Sequence, residues 1–149
     1  SGFELCESAA LPGREEYLDS EKYQYKGREW HAPGNIKPLI TRLNEIRSEN
    51  RALQQTNMLA FAGSENPAIL FYRKTSSDRS NQVLVVVTTD FRNSQSGWID
   101  VPTGDLGIPP NTWYQVEDLL TGEVFLWHGA RNFVSLDPAK RVAHILRIK

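Results

Sequence analysis

The sequence predicts a mainly β protein, an antiparallel sandwich preceded by a long loop and one amphipathic helix. Three observations carry this. From about Met58 onward, eight short runs rich in Val, Ile, Phe, Tyr and Trp alternate with turn residues: "MLAFA", "AILFYRK", "QVLVVVTTD", "GWIDVP", "WYQVEDLL", "EVFLWH", "NFVSL" and "VAHILRIK". They recur roughly every ten residues with no helical pattern between them, the texture of an antiparallel sandwich or barrel. Upstream, "NIKPLITRLNEIRSENRAL" places Ile36, Leu39, Ile40, Leu43 and Ile46 at three- and four-residue steps, which puts them on one helical face. Between the start and that helix, residues 8–35 hold the punctuation Pro12-Gly13 and Pro33-Gly34 and no clear period.

Taken in order, residues 2–7, "GFELCE", alternate apolar and polar side chains and read as a strand fragment. The irregular stretch 8–35 is longer than an idle loop within a compact domain, so it is expected to be functional or to have lost its neighbours. Asn35 is placed to cap the helix, and Pro38 is tolerable in the first turn, where its missing N–H has no intrahelical partner to lose. Lys37, Arg42, Glu45 and Glu49 fall on the opposite, solvent-facing side. "QVLVVVTTD" is apolar through its middle, which predicts a central strand covered on both faces, and Thr121-Gly122 is a hairpin signal between two strands. The layout divides at residue 52: a strand, loop and helix in 1–52 that resemble the last unit of an α/β protein, then a sandwich in 53–149.

Composition excludes several classes of function. The 149 residues are 40% hydrophobic and 23% charged with a formal net charge of −1, the balance of an ordinary soluble domain without the basic footprint of a nucleic-acid or anionic-membrane binder. No run approaches the ~20 apolar residues of a membrane span. The opening "SGFELCESAA" has neither an initiator Met nor the order of a signal peptide, and the chain reads as a piece of a longer protein. A single cysteine, Cys6, rules out an internal disulfide, fits a reducing cytoplasm and is expected to be a buried structural thiol.

Chemistry-bearing residues are sparse. "EEYLDSEKY" gathers Glu15, Glu16, Asp19 and Glu21 with Tyr17, Lys22 and Tyr23, and charged loop residues of this kind are more often solvated than catalytic. His31, His128 and His144 are far apart and adjoin no cysteine or acidic pattern, so no metal site is expected. His144 alternates with Val142 and Leu146, which predicts a partly buried, hydrogen-bonded imidazole. Trp98, Trp113 and Trp127 fall in strands and are expected in the core. An exposed, coplanar pair of such rings would instead form a carbohydrate-binding surface. Trp30, in the loop, is open to either packing or lining a cleft. No Gly-rich phosphate loop and no G-x-S-x-G are present.

Several stretches taken together carry a family resemblance: "SGFELCE", "EEYLDSEKY", "PGNIKPLITRLNEIRSENRAL", "NQVLVVV", "GWIDVP", "DLLTGEVFLWHG", "NFVSLDP" and "AHILRIK". In this order the chain resembles the C-terminal end of the bacterial maltosyltransferases of the α-amylase superfamily, which extend α-1,4-glucans from maltose 1-phosphate. The resemblance implies a (β/α)₈ barrel followed by the sandwich, with 2–7 as the last barrel strand, 8–35 the loop after it and 36–50 the last barrel helix. Active sites of such barrels lie on the loops at the C-terminal ends of the strands, which is where "EEYLDSEKY" falls. By the same resemblance, Lys22 and Tyr23 contact the sugar substrate. His31 departs from the family, where an acidic residue is commoner. A barrel takes ~250 residues, so the family's catalytic carboxylates are expected outside this chain and the chain alone is expected to be inactive. The partners implied are maltose 1-phosphate, α-1,4-glucan and a catalytic barrel in the same protein, with no nucleic acid or membrane. No cofactor is implied, and a homodimer is one assembly it allows. The alternatives are a free-standing α-glucan-binding sandwich and an accessory domain of a trehalose synthase-like enzyme.

Overall fold

Val83, Leu84, Val85 and Val86 are all buried, and the reason is visible in the computed structural model, which describes residues 2–18 and 25–149. Among the described residues there are eight strands: β1 (Leu59–Phe61), β2 (Ile69–Thr75), β3 (Gln82–Thr88), β4 (Gln95–Asp100), β5 (Trp113–Asp118), β6 (Val124–His128), β7 (Arg131–Leu136) and β8 (Ala143–Ile148). They correspond one for one to the runs read from the sequence. A six-stranded sheet has the order β1-β2-β3-β8-β5-β6, and β4 pairs with β7 in a two-stranded sheet. Every pairing is antiparallel.

Strand β3 lies at the middle of the larger sheet and divides its side chains between two clusters. Leu84 and Val86 face the two-stranded sheet with Ile69, Phe71, Ile99, Val116, Val134, Leu136 and Leu146. Val83 and Val85 face outward, where Ile46, Ala52, Leu119 and Ile145 cover them. An uninterrupted apolar run is therefore the correct pattern for β3, because neither face meets water. The β5–β6 hairpin turns at Thr121-Gly122, with Gly122 at φ 79°, a left-handed conformation that glycine adopts without the clash a Cβ would bring.

The chain divides into two compact units, Ser1–Asn44 and Glu45–Lys149, and the division falls inside helix α1 (Lys37–Glu49). Asn35, one residue ahead of the expected cap position, accepts at Oδ1 a hydrogen bond from the Lys37 N–H at 3.2 Å and so satisfies one of the free first-turn donors, while Ile36 O accepts the first intrahelical bond. Of the predicted apolar face, Ile46 is fully buried, whereas Leu39 and Leu43 are exposed. Asn50 separates α1 from the short α2 (Arg51–Gln54). Its buried amide donates to Ile46 O at 2.8 Å and accepts from Asn81 Nδ2 at 3.1 Å, while Asn81 Oδ1 accepts the Ala52 N–H. This Asn–Asn pair ends one helix, starts the next and ties both to the entry of β3.

Two expectations for the start of the chain are corrected. Residues Phe3–Leu5 form one turn of 3-10 helix flanked by left-handed Gly2 and Cys6 (φ 101° and 55°). A strand needs a paired neighbour, and no strand of the described residues pairs with this segment. Its Glu4 carbonyl accepts instead from the Ile36 N–H. Cys6 is exposed rather than buried, because the turn replaces the alternation that would have pointed it inward.

Candidate functional site

Lys22 and Tyr23 lie outside the described residues, as do Asp19 and Glu21 of the same stretch. The chain on either side of them is held by specific contacts. On the leading side, residues 9–18 form a small hairpin over the Pro12-Gly13 turn. Ala10 bridges Tyr17, the Leu18 N–H donates to Ala9 O at 2.7 Å, and the Leu11 N–H donates to Glu16 O at 2.9 Å. Glu15 and Glu16 are exposed on it, so among the described residues these carboxylates are solvated, with Glu16 reaching Arg14 at 3.7 Å.

On the trailing side, Glu7 takes ion pairs from Lys26 at 3.6 Å and Arg28 at 3.4 Å. Lys37 Nζ donates to Trp30 O at 3.0 Å and stands 6.0 Å from the Trp30 ring centroid. Trp30 is thus pinned from below and remains partly open, and Tyr25 is almost wholly exposed. The Glu7 clamp was not legible in the sequence, since its partners are some twenty positions away in a segment without period.

The tryptophans divide. Trp127 is in the core as expected. Trp98 and Trp113 are not, at 42% and 63% exposure. Strand parity is the cause: Ile99 and Val101 take the inner positions at β4, and Tyr114 and Val116 take them at β5. Trp98 meets Phe133 at 70° between ring planes and carries Arg131 over its face, while Trp113 tilts 49° against His128. Neither of these ring pairs is coplanar.

The sandwich holds two polar clusters. Asp118, fully buried, accepts from His144 Nδ1 at 2.8 Å and from the Leu120 and Ile145 N–H groups. Arg141 stands 3.9 Å away and also pairs with Glu123. Burial pushes the Asp118 carboxyl upward, but the hydrogen bond from His144 and those from the two backbone amides outweigh it and hold it below its usual value. His144 is the buried, bonded imidazole the sequence predicted, and it borders a cavity of about 230 Å³ with Phe125, Trp127, Phe133 and Arg141. In the second cluster, Tyr114 Oη donates to Gly129 O and accepts from Asn132 Nδ2, and burial pushes its hydroxyl up to about 12. Both clusters lock turns of the sandwich and are structural in geometry. Among the described residues no group of three or more His, Cys, Asp or Glu is arranged to hold a metal, and no helix is long and apolar enough to cross a membrane.

The architecture defines an antiparallel β-sandwich, with a loop-and-helix segment ahead of it in the chain. A family model described as "GLGE, C-terminal" matches residues 61–148. The chain is 47% identical over 148 residues to the alpha-1,4-glucan:maltose-1-phosphate maltosyltransferase of Rhodospirillum rubrum, covering 99% of this chain and 22% of that protein. It is 44% identical to the enzyme of the same name from Chlorobaculum tepidum over 98% of this chain and 23% of the relative. For Pseudomonas aeruginosa the identity is 46% over 93% of this chain and 21% of the relative. The chain belongs to the C-terminal region of the alpha-1,4-glucan:maltose-1-phosphate maltosyltransferase family, and it spans about a fifth of the length of these relatives.

Proposed function

We propose that this chain is the closing part of a cytoplasmic retaining glycosyltransferase that moves maltosyl units from maltose 1-phosphate to the end of an α-1,4-glucan. Retaining transfer uses a carboxylate nucleophile and a carboxylic acid ~5–5.5 Å apart, and here these belong to a barrel outside the chain. Residues 53–149 are the sandwich that steadies the barrel. Residues 1–52 contribute the barrel's last unit, with Lys22 and Tyr23 at one edge of the donor cleft. The observation that carries this is the near-complete, 44–47% identity to maltosyltransferases along the whole chain, loop included. The chemistry suits the role: an ammonium donates to sugar hydroxyls, and a tyrosine offers a hydroxyl and an apolar ring face to a pyranose.

The test is made in the intact protein. Lys22→Ala is expected to lower kcat/KM for maltose 1-phosphate by about 10- to 100-fold, the loss of one charged hydrogen bond, with the melting temperature unchanged. Wild-type kinetics from a folded Lys22→Ala, Tyr23→Ala double variant would remove the loop from the site.

A further inference from the structure

The sandwich does not close on one side. Strand β6 is an edge of the larger sheet and pairs only with β5, while β7, which follows it after a tight turn, pairs only with β4. No ladder joins β6 to β7 among the described residues. In the seam between them lies the cavity of about 230 Å³ that His144 borders.

Its walls are of two kinds. Phe125 and Trp127 from β6, Phe133 and Val134 from β7 and Leu146 from β8 give it an apolar, largely aromatic lining. Phe133 and Ser135, both exposed, mark the side that meets solvent. Opposite them is the imidazole of His144, which is 6% exposed. Its Nδ1–H is engaged by the fully buried Asp118 at 2.8 Å, so in the neutral ring Nε2, on the far side, is an acceptor. Nothing among the described residues bonds Nε2. The partnerless polar atoms that are sealed away are Glu4 Oε2, Arg73 Nε, Thr75 Oγ1 and Gln82 Oε1. His144 Nε2 is not among them, and it remains open to the cavity.

Charge and size define the occupant. Arg141, which also lines the cavity, is already bracketed by Asp118 at 3.9 Å and by Glu123, so the cavity calls for no ion. An apolar lining with one acceptor suits a neutral apolar body with one donor, which a ring bearing a hydroxyl supplies. Water would satisfy Nε2 but would leave the aromatic walls wetted. A benzene-sized ring fills an apolar cavity of about 150 Å³, so this space takes one six-membered ring with its substituents.

We propose that the seam between β6 and β7 is a binding site for a neutral, hydroxyl-bearing six-membered ring, a phenol or a pyranose, whose hydroxyl donates to His144 Nε2 while its ring packs on Phe125, Trp127 and Phe133. The inference stands on the sandwich alone and does not depend on the role of Lys22 and Tyr23.

The test is an NMR titration of the 149-residue chain at neutral pH, read on the backbone amides and on the ring nitrogens of His144. The titrants are phenol and, separately, methyl α-D-glucopyranoside, with anisole as a control that keeps the aromatic ring and lacks the donor. Saturable shifts of His144 Nε2 and of residues 125–127 and 133–135 are expected, with a Kd on the order of 1 mM. Tighter binding of one titrant assigns the kind of ring. Anisole is expected to bind about fivefold more weakly than phenol, the loss of one neutral hydrogen bond. Ser135→Trp, at an exposed strand position, puts an indole in the mouth and is expected to abolish the shifts with the melting temperature unchanged. Phe133→Ala, which removes one wall at another exposed position, is expected to weaken binding about fivefold. Absence of saturable shifts with both titrants would overturn the proposal. So would anisole binding as tightly as phenol, or undiminished binding in whichever of the two variants folds.

Discussion

Asp118→Ala is expected to destabilise the sandwich by about 3–5 kcal/mol, the range for removing one member of a buried, hydrogen-bonded charge cluster. The carboxylate binds His144 and two backbone amides at once, so its loss orphans three donors at the start of β8 and in the β5–β6 hairpin. For a domain of this size the melting temperature should fall by on the order of 10 °C. The pH dependence has a definite sign. The folded-state pKa lies below the ordinary value of 3.8, so the folded state binds fewer protons than the unfolded one in that range. The stabilisation is fully present above the ordinary carboxylate value and is lost as pH falls below it, through the depressed folded value. Thermal melts between neutral pH and pH 2 should therefore show the wild-type and Asp118→Ala curves converging at the acid end. A constant gap across that window would show that the carboxylate's charge is not what stabilises.

Phe71→Ala should cost a similar amount, about 3–5 kcal/mol, by emptying a large volume at the centre of the core. Phe71 is 1% exposed and packs between Ile69, Leu84 and the facing β4–β7 sheet. Phe61, on the adjacent strand β1 opposite Tyr72, is 67% exposed and meets the Tyr72 ring edge-on. Phe61→Ala should therefore fall within about 1 kcal/mol of the wild type. Chemical denaturation of the two variants separates burial from aromatic character, since both remove the same ring. Equal losses would contradict the assignment of inner and outer faces on β1 and β2.

The contrast between these two phenylalanines shows what was legible in the sequence. Strand positions came through because β-branched and aromatic runs bounded by turn residues are local signals, and β3 declared its central place by being apolar on both parities. Which face of a half-buried strand turns inward was less legible. Trp98 and Trp113 have the composition of core residues, but Ile99 and Tyr114 beside them took the inner register, and only the pairing decides that. The segment Phe3–Leu5 failed for a related reason: a six-residue alternation becomes a strand only beside a partner, and no partner strand is among the described residues. For the candidate site, the family resemblance and the charge density of "EEYLDSEKY" point to the loop, while the Glu7 clamp on Lys26 and Arg28 required the folded chain.

As proposed, this chain forms one wall of a maltosyltransferase whose reacting groups lie elsewhere in the protein. Phosphate release from maltose 1-phosphate in the presence of glycogen, measured side by side for the 149-residue chain and for the intact protein, tests it most directly. Steady release is expected from the intact protein and none above background from the chain alone. Turnover by the isolated chain, or an inactive intact protein, would contradict it.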